Sequence, residues 1–104
     1  MKKIYFIFIL LPFFSIAQKL EGQQKIDSLL IELPKAKLDT TKVNILNLLG
    51  FTYNNLEAKK GMQYHQQALK LSQKIDFKFG LTSAYRGIAS NYALNADYDN
   101  AFRA

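Results

Sequence analysis

Displaced on itself by 39 residues, the chain lays Leu46 on Tyr85, Leu49 on Ile88, Gly50 on Ala89 and Tyr53 on Tyr92. Large, large, small and aromatic side chains recur in one order, at i, i+3, i+4 and i+7. That is the spacing of one helix face. A pattern recurring at roughly 20–50 residues marks a supersecondary unit stacked on its copy, since one unit alone cannot bury its apolar face. A shift of 37 pairs Gly50 with Gly87 but sets Leu49 against Arg86 and Tyr53 against Ser90. The 39-residue register is therefore the better one.

Helical periodicity extends along the chain. Ile26, Leu29, Leu30 and Leu33 form one face, and Pro34 ends that helix by forcing the preceding residue out of the α region. Lys35 to Leu38 connect, and Asp39, Thr40 and Thr41 offer N-cap oxygens. A second helix runs to about Asn55, with Val43, Leu46, Leu49, Gly50 and Tyr53 on one face and Ile45, Leu48 and Phe51 on neighbouring ones. A helix apolar this far round is covered on more than one side. Asn54-Asn55 begins a turn. Ala58 to Gly61 open a third helix facing inward with Met62, His65, Ala68, Leu69, Ser72 and Ile75. Asp76 caps a further helix from about Lys78, with Leu81, Ala84, Tyr85, Ile88, Ala89 and Tyr92 inward. Asn95-Ala96-Asp97 is expected to turn, and Tyr98 to start another helix. Only 5 glycines and 2 prolines interrupt 104 residues, and no segment alternates like a half-buried strand.

The first segment reads as an address. Lys2 and Lys3 precede an apolar run from Ile4 to Phe14, and Ser15-Ile16-Ala17 places small residues where a signal peptidase reads. Cleavage before Gln18 follows. The rival, an uncleaved anchor, needs about 20 apolar residues, whereas the run from Ile4 to Ala17 is shorter and Gln18-Lys19 ends it. Lys2 and Lys3 also supply two charges of the formal +6. The rest are scattered, as on a solvated helical surface that steers toward acidic partners at most.

The pattern Leu46, Leu49, Gly50, Tyr53, then Gly61, His65, Ala68, Leu69, with a second copy Tyr85, Ile88, Ala89, Tyr92, then Tyr98, Ala101, resembles the tetratricopeptide repeat (TPR). The resemblance runs from about Thr41 to the end. It lacks the family's proline after the second helix of the repeat, Gln73 lying there, and exceeds the usual repeat length. It implies an all-α fold of antiparallel helical hairpins stacked as a right-handed solenoid, with small residues at the helix crossings. Gly50 and Ala68 are expected to meet at one such crossing. The expected organisation is a signal peptide (1–17), a leader helix and connector (18–38), a first repeat (39–77) and a second repeat (78–104) cut within its second helix. The chain is thus expected to be a fragment, marginal alone or self-associating through its open end.

Lys25-Ile26-Asp27-Ser28-Leu29-Leu30, Leu33-Pro34-Lys35-Ala36-Lys37 and Asp39-Thr40-Thr41-Lys42-Val43 resemble the opening of exported bacterial repeat proteins. In several of these the repeats form the periplasmic part of a signalling protein. The implied function is a non-catalytic protein-interaction scaffold, exported by the Sec pathway to the periplasm or cell surface. The alternative is the sensor end of a membrane-anchored histidine kinase, nucleotide cyclase or transcriptional regulator whose output domain and anchor lie downstream. A third reading is a small basic secreted protein acting alone.

Sites for chemistry are not apparent. With no cysteine there is no thiol nucleophile, thiolate metal site or lipid-bearing cysteine. The single histidine, His65, is followed at i+3 and i+4 by Ala68 and Leu69, so no metal pair forms, and it reads as structural. Gly50, Gly61, Gly80 and Gly87 are isolated rather than gathered in a phosphate loop. No catalytic residue, metal or cofactor is expected. Neither is nucleic acid, nor membrane contact by the mature segment. The partner is a protein or peptide. Repeat arrays present a concave surface, and helical geometry from Leu46 and Tyr85 assigns it Asn44, Asn47, Phe51 and Asn54, then Ser83, Arg86 and Ser90. The chaperone-tail subclass of the family clamps a C-terminal carboxylate there. Asn47, Phe51 and Gly87 stand where that clamp needs Lys, Asn and Asn, so this recognition is not expected.

Overall fold

The computed structural model describes residue 17 and residues 19–103, the last seven by backbone alone. The signal segment lies outside the described residues except for residue 17, and the side chain of Ala101 lies outside them too. All regular structure among the described residues is helical. Helix α1 covers 19–32, followed by a 3-10 turn, Leu33–Lys35, that holds Pro34. Helices α2 (Asp39–Asn54), α3 (Ala58–Ile75) and α4 (Lys78–Arg103) complete the order. No helix among the described residues is long and apolar enough to cross a membrane.

Helix α2 is the central element. Its Ile45, Leu49 and Tyr53 pack with Ile26 and Leu29 of α1. Its Val43 and Leu46 pack with Ala68 of α3 and Ala84 of α4. The breadth of its apolar surface is thus explained by two covers. Burying a side chain such as Leu49 contributes about 1.5–3 kcal/mol. Tyr64 of α3 and Leu33 pack against both clusters, and the Tyr53 and Tyr64 rings stack at 5.6 Å. Of the leader face, Leu30 stays exposed.

The helix ends correct two expectations. No side chain caps α2: its N-cap is Leu38, and Asp39 lies inside the first turn, where its negative charge still interacts favourably with the positive end of the helix dipole. Asp76 closes α3 and does not open α4. It takes the left-handed conformation at φ 56°. Its N–H reaches Gln73 O, and the Phe77 N–H reaches Ser72 O at 2.9 Å, the paired bonds of a Schellman end.

Helix α4 differs most from expectation. It is continuous, without the turn expected at Asn95-Ala96-Asp97. No glycine or proline lies between Ile88 and Ala104. Asn95 instead donates along the helix to Asn91 at 3.2 Å. The buried stripe of α4 is Gly80, Ala84, Gly87 and Asn91. Of the expected inward residues, Ala84 is buried, Leu81 and Ile88 are half-buried, and Tyr85, Ala89 and Tyr92 are exposed. Small side chains won this face because α4 lies across both α2 and α3, where a larger side chain would hold the backbones apart.

Candidate functional site

The junction of α2, α3 and α4 is built on spacings of 4, 3 and 4 residues. Helix α3 contributes Gly61, His65, Ala68 and Ser72. Helix α2 contributes Val43, Asn47, Gly50 and Asn54, and α4 contributes Gly80, Ala84, Gly87 and Asn91. All twelve are buried. Each stripe lies along one helix face, so the three faces meet along a shared seam.

His65 occupies the centre and is fully buried. A Cβ added to Gly50 would lie 2.5 Å from its ring, and one added to Gly87 would also collide with it. The imidazole fills the space that two glycines leave empty. Phe51 closes one side, edge-on at 4.8 Å between ring centroids.

The polar atoms here form a connected chain. Asn54 Nδ2 donates to His65 Nε2 and to Gly87 O, both at 3.2 Å. Asn54 Oδ1 accepts from Asn91 Nδ2 at 2.8 Å, and Asn91 Nδ2 also reaches Ala58 O at 2.7 Å. On the other side His65 Nδ1 lies 3.4 Å from Asn47 Oδ1, and Asn47 Nδ2 donates to Gly80 O at 3.2 Å. With Asn54 donating to Nε2, the proton sits on Nδ1 and the ring is neutral. Burial pushes the His65 pKa down from its ordinary value, since a charged imidazole loses its hydration there. Both ring nitrogens are occupied and water is excluded, so the geometry suits a structural clasp joining three helices. Ser72 Oγ is the exception, buried without a hydrogen-bond partner.

The expected concave set is divided. Asn44, Arg86 and Ser90 are exposed, and Phe51 and Ser83 are half-buried. Asn47 and Asn54 are buried, at 4% and 7% exposure, and their amides are spent on His65 and on carbonyls of α4. They do not line a surface, because α4 lies over them. The expected meeting of Gly50 with Ala68 is also corrected. Gly50 is opposite Gly61 and His65: a Cβ on Gly61 would lie 3.0 Å from Gly50 O. Ala68 packs one turn further along, with Val43, Leu46 and Ala84.

Gly80, Gly87 and Asn91 escaped the sequence reading. Their signal was the discarded 37-residue shift, which pairs Val43 with Gly80, Asn47 with Ala84, Gly50 with Gly87 and Asn54 with Asn91. That shift relates the two faces touching α3 from either side.

Among the described residues, no group of three or more His, Cys, Asp or Glu side chains is placed to hold a metal ion. Comparison with protein-family models, with curated proteins and with solved structures finds no match in any of the three.

Proposed function

We propose that this chain is a non-catalytic protein-interaction module of the helical-hairpin type, similar to tetratricopeptide repeats, and that its first 17 residues export it to the periplasm or cell surface. One observation carries the first part. In α2 the face formed by Leu46, Leu49 and Tyr53 is covered, at 6%, 0% and 8% exposure. The positions 39 residues later lie on α4, where Tyr85 and Tyr92 are 56% and 64% exposed and Ile88 is half-buried. Together with half-buried Leu81 they form a partly covered large-residue stripe with 4-3-4 spacing, its two tyrosines exposed. Exposed aromatic side chains aligned on one helix face are what a helix-binding surface offers. Export rests on Lys2, Lys3, the apolar run and Ser15-Ile16-Ala17.

A photo-crosslinking residue at Tyr85 or Tyr92 tests this in cells that export the chain. Discrete protein adducts are expected from both positions and none from Gln67, which is exposed on α3. Equal adducts from all three, or none from 85 and 92, would remove the basis for an interaction module.

A further inference from the structure

Where α1 crosses the end of α2, a groove of about 660 Å³ opens to solvent. It is lined by Lys19, Gly22 and Lys25 of α1 and by Phe51 and Leu56. Gly22 lies close against Leu56: a Cβ at that position would come 3.2 Å from Leu56 Cδ1. Thr52 and Asn55 complete the lining with polar groups, the Thr52 hydroxyl already donating to Leu48 O at 2.8 Å. Among the described residues no carboxylate lines this groove. An adjoining groove shares Lys19 and Leu56 and adds Leu20, Tyr53 and Lys60. Among the described residues the acid lining it is Glu57, held by Lys60 at 3.1 Å. Leu20 and Leu56 are 58% and 38% exposed.

We propose that this groove binds an acidic segment of a partner protein, with an apolar or aromatic side chain against Phe51 and Leu56 and flanking carboxylates on Lys19 and Lys25. The argument is one of charge and shape. Two ammonium groups, neither in an ion pair among the described residues, line a half-apolar trough, an arrangement that rewards carboxylates spaced around an apolar anchor and repels basic segments. The volume falls within the usual 300–1,000 Å³ or so of ligand sites. The site takes no lining residue from the α4 stripe and depends on the interaction-module reading only in taking a protein segment as ligand.

The test uses the purified chain and a fluorescein-labelled hexapeptide alternating acidic residues with phenylalanine and leucine. Fluorescence anisotropy should show saturable binding that weakens as salt rises from about 0.05 to 0.5 M. The double reversal Lys19→Glu/Lys25→Glu should weaken it at least about tenfold. Both lysines are exposed, so the fold should survive, as circular dichroism would verify. Gly22→Leu, which adds a bulky side chain at a lining position, should do the same without changing charge. A peptide with lysines replacing the acids should not compete. Unchanged affinity after the charge reversal would overturn the proposal. So would displacement by free glutamate as effective as by unlabelled peptide, which would mark a small-anion site. Such a failure would leave crosslinking from residues 85 and 92 unaffected.

Discussion

Asn54 holds His65 in one protonation state. Its Nδ2 donates to His65 Nε2 at 3.2 Å, and it cannot turn its oxygen toward the ring without losing Gly87 O and opposing Asn91 Nδ2 to a second donor. A proton added at Nε2 would face an N–H donor inside a buried seam.

Stability should therefore depend on pH. In the unfolded chain His65 takes up a proton near its ordinary value of about 6.5. In the folded chain burial pushes that uptake to lower pH. The contribution of neutral His65 is complete above about pH 6.5 and is lost as pH falls from there toward the lower folded value. Thermal melts at pH 8 and pH 5.5 should show a lower Tm in acid, and His65→Gln should remove most of the difference. Parallel shifts in both proteins would place the titration elsewhere.

Glycine-to-alanine changes should differ in sign with position. In an unconstrained helix such a change is worth up to about 1 kcal/mol of stabilisation. At Gly87 and Gly50 the new Cβ meets the His65 ring, so net destabilisation of roughly 1–3 kcal/mol is expected. Gly50→Leu should be at least as costly. At Gly22 the neighbour is the flexible end of Leu56, and alanine should be neutral or stabilising. Urea titrations that gave the same sign at all three glycines would contradict the packing described.

Asn54→Ala and Asn44→Ala should separate a buried network from a surface. Asn54→Ala strands His65 Nε2 and one Asn91 donor, at about 1–3 kcal/mol for each buried group left unpaired. Asn44 is exposed, and its removal should change stability by less than about 0.5 kcal/mol. Equal effects in chemical denaturation would refute the assignment.

Ser72→Ala should be neutral or stabilising. The hydroxyl is buried without a partner, so its removal relieves a desolvation cost without breaking a bond. A Tm lowered by several degrees would mean that Ser72 Oγ has a role the packing does not reveal.

The exported chain should begin at Gln18. N-terminal mass analysis of extracytoplasmic material is the measurement, and a secreted species that retains Lys2 and Lys3 would disprove cleavage there.

The sequence alone determined the helical character and most of the helix ends. Pro34 ends the α-helical leader, Asn54-Asn55 is followed by a turn, and the face of α3 through His65, Ala68 and Ser72 is buried as its spacing requires. These are local signals, governed by backbone sterics and by the 3.6-residue period. Only tertiary structure decided which of two adjacent stripes on α4 would be covered. Leu81, Tyr85, Ile88 and Tyr92 look like a core by hydrophobicity. Gly80, Ala84, Gly87 and Asn91 form the actual contact, because three helix backbones converge on one imidazole and only small side chains, or amides that bond to it and to nearby carbonyls, fit there. The same convergence buried Asn47 and Asn54, whose amides would otherwise have faced water. Hydrophobicity read along one helix does not record how closely another helix approaches, and that distance decided the candidate site.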